Sequence, residues 1–104
     1  MAKVNGFRVD LREIESQCLQ LTGIANCFAY PHQLDDGIHE LTIFVEKAEM
    51  GTIPSLADIR IALRNKLPSY MVPKKAIYLD EFPATRNGKI DRKRIISDYV
   101  EKFG

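Results

Sequence analysis

Glycine and proline punctuate this chain so regularly that neither a long helix nor a long strand can form in it. Gly23, Pro31, Pro54, Pro68 and Pro83 each fall between apolar stretches, and residues of these types end helices or interrupt ladders of backbone hydrogen bonds. Short elements packed against one another in a single domain are what remains. No apolar run approaches the ~18 residues that suggest a membrane span, and residues 1–23 lack the basic-then-apolar layout of a signal peptide. A soluble, cytoplasmic protein with no membrane partner is therefore expected. At 104 residues, 45% hydrophobic and 28% charged, the chain can bury roughly two-thirds of its unfolded surface. That core is modest and leaves little room for a deep private active site beside it.

Between the breaks, the residue pattern predicts elements of both kinds. Lys3-Val4-Asn5-Gly6-Phe7-Arg8-Val9 sets an Asn-Gly pair between short alternating segments, the pattern of a tight hairpin whose turn residues tolerate positive φ. Asp10 and Glu13 form a capping-like pair ahead of Leu11, Ile14, Cys18 and Leu21 at helical spacing, with Gly23 as the stop. Residues 24–30 are rich in strand formers and end at Pro31. Leu41, Ile43 and Val45 then alternate with Thr42 and Glu46 after a polar turn at Asp35-Asp36-Gly37, which predicts two antiparallel strands. Pro54-Ser55 with Asp58 opens a second helix with the stripe Leu56, Ile59, Leu63 and Leu67, stopped by Pro68. A third short strand is expected over 76–79. Past a polar loop at 84–89, a last helix uses Ile95, Ile96, Tyr99, Val100 and Phe103. The order predicts an α+β domain, a sheet of about three strands with helices packed on it plus an N-terminal hairpin.

Charge is distributed unevenly. The net charge is +1, but residues 1–52 carry four basic against eight acidic side chains, and residues 53–104 eleven against six, so a basic surface belongs to the second half. Cys18 and Cys27 have no CxxC spacing and lie in apolar surroundings, which predicts buried free thiols and no metal site. His32 and His39 flank the Asp-Asp-Gly turn without a Cys or Glu at ligand spacing, and surface positions are expected for both.

No Ser/His/Asp or Cys/His set is supported, so hydrolase chemistry is not expected. Asn87-Gly88-Lys89 fails as a phosphate loop, because the upstream glycine is missing and Ile90 follows the lysine. What stands out is Lys89 on a glycine-containing turn, followed by Asp91-Arg92-Lys93-Arg94 at a helix start. Cations there oppose the helix dipole and do not serve helix stability. From residue types alone the cluster reads as a solvated loop. Nucleic-acid binding through Lys74, Lys75, Arg86 and Arg92 to Arg94 is the weaker reading, since the run is short and lacks interleaved aromatics; no nucleic-acid partner is expected.

Leu67-Pro68-Ser69-Tyr70-Met71-Val72-Pro73 and Leu79-Asp80-Glu81-Phe82-Pro83-Ala84-Thr85-Arg86-Asn87-Gly88-Lys89-Ile90-Asp91-Arg92-Lys93 together resemble the closing signature of adenylate-forming enzymes, the group of acyl-CoA synthetases, luciferases and nonribosomal peptide adenylation domains. The segment from Lys3 through Glu15 resembles the same family's motif just after its interdomain hinge. The resemblance covers nearly the whole chain and leans toward ligases that load amino acids onto carrier proteins, such as D-alanine ligases.

The resemblance implies a small C-terminal domain that swings between two orientations on a large N-terminal core holding the ATP and acid pockets. The hinge would lie just upstream of Lys3, so the chain is expected to be that small domain cut from a larger ligase, monomeric and inactive alone. The alternative is a free-standing module that docks a carrier protein or a separate core in trans. Lys89 is implied as the catalytic cation of adenylation, while Gly6 and Lys3 are implied beside the channel for the pantetheine thiol. No cofactor is expected on this domain alone; ATP and magnesium belong to the complete enzyme. The implied partners are the adenylation core and a carrier-protein phosphopantetheine or CoA.

Overall fold

The computed structural model describes residues 2–4, 7–33 and 39–103, with side chains placed over 9–32 and 39–99. β1 (Ala2–Val4) and β2 (Phe7–Val9) pair antiparallel as the expected hairpin, with Lys3 opposite Arg8. Its turn, Asn5 and Gly6, and the turn expected at Asp35-Asp36-Gly37 lie outside the described residues. Helix α1 (Leu11–Leu19) starts at Asp10, whose side chain accepts from the Arg12 N–H, and buries Ile14 and Cys18. It ends before Leu21, four residues short of the predicted stop. Gly23, at φ +94°, instead makes the turn that launches the next strand.

β3 (Ile24–Gln33) runs antiparallel to β4 (His39–Lys47), and β5 (Lys75–Leu79) pairs parallel to the other side of β4, giving the order β3-β4-β5. Contrary to the sequence expectation, β3 does not stop at Pro31 but continues to Gln33, with Pro31 opposite Leu41. An edge strand tolerates a proline because an absent N–H on the open side removes no ladder bond. The extension also overturns the surface placement of His32. Only 8% exposed, its ring lies 5.3 Å from that of Tyr99 and 6.0 Å from that of Tyr30.

Helix α2 (Leu56–Arg64) begins with a reciprocal capping box: the Asp58 N–H donates to Ser55 Oγ at 3.1 Å and the Ser55 N–H to Asp58 Oδ2 at 3.2 Å. It ends before Leu67, which is buried in the following turn, and a 3-10 turn (Ser69–Met71) precedes β5. Helix α3 (Arg92–Phe103) closes the chain.

The fold is α+β as expected, three helices on a three-stranded mixed sheet. Each sheet face has its own core. On one, Cys27, Ala29, Ile43 and Val45 meet Ile14 and Cys18 of α1 and Ile59 and Leu63 of α2. On the other, Phe28 and Phe44 meet Phe82 and the α3 residues Ile95 and Tyr99. The rings of Phe28 and Phe44 stack at 4.8 Å, and Tyr99 and Phe82 approach edge-on at 5.3 and 5.6 Å, geometries that add about 0.5–1.5 kcal/mol per pair to plain burial. Covering both faces buries every residue from Leu41 to Val45, Thr42 included, so the polar-outward alternation expected of β4 is not seen. A register shift between Ile24 and Asn26 puts Ile24 in the first core while Asn26 points with Phe28 to the second face.

Both cysteines are buried free thiols, as expected. Cys27 Sγ donates to the Glu15 carbonyl at 3.4 Å, and its hydrogen bond with Cys18, followed by burial, pushes the Cys27 thiol well above the ordinary range. A thiol so held stays protonated and is no nucleophile.

Candidate functional site on the 84–90 hairpin

Local hydrogen bonds fold the segment between β5 and α3 into a miniature hairpin. Ala84 and Ile90 form an antiparallel bridge; the Thr85 N–H donates to the Lys89 carbonyl at 2.7 Å and the Gly88 N–H to the Thr85 carbonyl at 3.0 Å. The Asp91 N–H closes the base onto the Pro83 carbonyl at 2.8 Å. Gly88 sits at φ +80°, and a Cβ there would meet nothing within 4 Å. Glycine is therefore needed for the backbone conformation and not for space.

Arg86, Asn87, Gly88 and Lys89 are exposed at the tip. Among the described residues no carboxylate pairs with Lys89, whose ammonium is free to meet an external anion. Behind the tip the hairpin is well seated. Phe82 is buried in the α3-side core and Ile90 packs against it. Asp91 Oδ1 accepts from the Arg94 N–H at 3.2 Å, capping the first turn of α3 and partly offsetting the cations there. The Arg92 guanidinium lies over the Phe28 ring at 5.4 Å and reaches Glu15 Oε1 at 3.5 Å.

Two carboxylates that the sequence did not single out touch this segment. Glu15 of α1 accepts from the Ala29 N–H at 2.9 Å as well as meeting Arg92. Glu46, at the end of β4, accepts from the Phe82 N–H and from Asn26 Nδ2, both at 2.6 Å. Neither has a sequence signature, because each partner lies far along the chain.

The other residues implied by the resemblance are not brought to Lys89. Lys3 lies in β1, and Gly6 is outside the described residues. Val9, where β2 ends, belongs to the core on the α1–α2 face, whereas Phe82 and Ile90 belong to the core on the α3 face. The N-terminal and Lys89 hairpins are thus rooted on opposite sides of the sheet. A cleft between β5 and α3, lined by Phe44, Ile77, Leu79, Pro83, Ile95 and Tyr99, holds about 240 Å³ and opens to solvent, below the ~300–1,000 Å³ usual for enclosing a ligand. No helix among the described residues is long and apolar enough to cross a membrane.

Residues 13–89 match the family described as AMP-binding enzyme C-terminal domain, a match that ends on Lys89. The chain belongs to that family. This AMP-binding C-terminal domain is 38% identical over 93 residues to one of the proteins of the linear gramicidin synthase of Brevibacillus parabrevis, covering 89% of this chain and 1% of that protein. It is 37% identical over 106 residues to a D-alanine–D-alanyl carrier protein ligase of Listeria innocua, covering 92% of this chain and 19% of the ligase. Its fold superposes on ATP-bound MatB from Rhodopseudomonas palustris with a TM-score of 0.86 at 23% identity, over all of this chain and 20% of that one. The domain spans about a fifth or less of the length of these relatives.

Proposed function

We propose that this domain is the mobile C-terminal part of an ATP-dependent acid–thiol ligase. It completes an adenylation site on a larger N-terminal core, then assists transfer of the acyl group to a phosphopantetheine thiol. The observation that carries this reading is Lys89, an exposed ammonium without a carboxylate partner, held at the tip of a seated hairpin in a domain of the AMP-binding family. The names of the carrier protein ligase and the gramicidin synthase among its relatives support a carrier-protein acceptor over CoA.

In adenylation, a carboxylate oxygen bonds to the α-phosphorus of ATP while the bond to pyrophosphate breaks, the electron pair leaving on pyrophosphate. Two anions must meet, and charge spreads over the phosphorus oxygens. A compact ammonium on a long stem suits this, because it reaches into a pocket on another domain and neutralises charge where it develops. In the second step a thiolate bonds to the acyl carbon and AMP leaves. Gly6 and Lys3 take part in that step, Gly6 by leaving the thiol path open and Lys3 as a cation beside it. The opposite rooting of the two hairpins supports a division of labour between two orientations of the domain. Among the described residues no group of three or more His, Cys, Asp or Glu is arranged to hold a metal ion. The magnesium of the complete enzyme therefore finds no ligand set in them.

The purified 104-residue chain is expected to fold yet to catalyse no ATP–pyrophosphate exchange with any amino or carboxylic acid, and to support exchange once joined to an adenylation core. Robust exchange by the chain alone would overturn this reading.

A further inference from the structure

A catalytic cation is useful only if it arrives at one place, and the hairpin bearing Lys89 has little regular structure of its own to stiffen it. What fixes its root is a single carboxylate. Glu46 stands at the end of β4 on the α3 face, opposite Asn26 of β3 and Leu79 of β5. Its Oε2 accepts from the Phe82 N–H at 2.6 Å and its Oε1 from Asn26 Nδ2 at 2.6 Å. Phe82 is only 6% exposed, so its N–H is shielded from water and needs a protein partner. Asn26, itself fixed in the edge strand, holds the carboxylate in register.

The other tethers are weaker. Lys47 pairs with Asp80 at 2.9 Å, but the Asp80 side chain is 91% exposed, and exposed pairs contribute little. The Arg92–Glu15 contact is longer, at 3.5 Å, with a half-exposed arginine. Short hydrogen bonds to an ionised carboxylate are the strong class, and two residues beyond Phe82 the chain enters the Ala84–Ile90 bridge.

We propose that Glu46 is a positioning residue for Lys89: by gripping the Phe82 amide it anchors the root of the Lys89 hairpin to the central strand and so sets where the ammonium is delivered. The functional half of this inference rests on the reading of Lys89 as the adenylation cation; the anchoring half does not.

Native-state trypsin digestion of the 104-residue chain tests the anchor, because Arg86 and Lys89 at the tip are cleavage sites, while Arg60 and Arg64 on α2 report general unfolding. Glu46→Ala is expected to speed cleavage after Arg86 and Lys89 roughly tenfold or more relative to the α2 sites, the scale of losing a hydrogen bond to a charged group. Glu46→Gln is expected to stay within about threefold of wild type. Its amide oxygen still accepts from Phe82, and its NH₂ can donate to Asn26 once that carboxamide flips. Equal acceleration at all sites, or none, would overturn the proposal. In the complete ligase, Glu46→Ala is expected to lower kcat for adenylation roughly tenfold with little change in KM for ATP or in thioester formation, and Glu46→Gln to restore most of it. A loosened hairpin with unchanged adenylation would overturn the positioning role. If Lys89→Ala itself leaves adenylation intact, it is the reading of Lys89 that fails, and the trypsin ratio still reports the anchor separately.

Discussion

Lys89→Ala in the complete ligase is expected to slow adenylation by about 10²–10³ while sparing thioester formation from a supplied acyl adenylate. The magnitude follows from removing one preorganised donor to developing charge, which costs roughly 3–4 kcal/mol in comparable sites. The selectivity follows from where the side chain sits. Lys89 projects from a hairpin rooted on the α3 face, away from the N-terminal hairpin assigned to the second step. Lys89→Arg should rescue poorly, since a planar fork is wider than an ammonium and displaces the charge. A solvated loop lysine predicts something different, namely normal rates in both half-reactions. The ratio of the two rates therefore decides, and parallel losses or none would take Lys89 out of the mechanism. Stability should not change, because the side chain is exposed and makes no ion pair among the described residues.

The largest loss of stability expected from a single added methyl group is at Gly23. Two penalties coincide there. At φ +94° an alanine is strained by roughly 1–2 kcal/mol, and its Cβ would stand 2.3 Å from the Thr52 carbonyl oxygen and 3.2 Å from Ile53 Cα. Those are backbone atoms, so relief requires moving the 50–53 loop away from the start of β3, a distortion of about 1–3 kcal/mol. Gly23→Ala should therefore cost about 2–5 kcal/mol in chemical denaturation, much of the stability of a domain this size. Gly88→Ala is the control. Its φ of +80° is similar but its Cβ would meet nothing, so only the backbone strain should appear. Equal losses at the two sites would show that the Thr52 contact is not what makes Gly23 necessary.

What the sequence disclosed, and what it hid, divides by the range of the interactions. The α2 start was legible because Ser55 and Asp58 satisfy each other within one turn, and the first hairpin because Asn-Gly is a local turn signal. Burial of His32 and Thr42 was not legible. Both depend on α3 returning from the far end of the chain to cover a face that alternation alone assigns to solvent. The same holds within the site. Lys89 stands in a contiguous motif and could be singled out, whereas Glu46 reads as an ordinary polar strand end until Phe82, 36 residues later, presents its amide. Leu21 and Leu67 fit the helical stripe yet lie beyond the helix ends, because an apolar residue at the right spacing is equally buried from a turn that follows the helix.

The enclosure of β4 bears on how the domain opens. Hydrogen-bonded along both edges and roofed on both faces, the stretch from Leu41 to Val45 cannot reach solvent by the fraying that releases an outer strand or a helix end. Its amides should exchange with deuterium only through complete unfolding, with protection equal to the global stability, while outward amides of β3 and β5 exchange through smaller fluctuations. Exchange of the β4 amides at the rate of the β3 amides would show that one of the covering layers detaches on its own. If protection is instead greatest in β4, the Lys89 hairpin is moored through Glu46 to the end of the strand that opens last, and the domain can swing as a rigid arm without losing its aim.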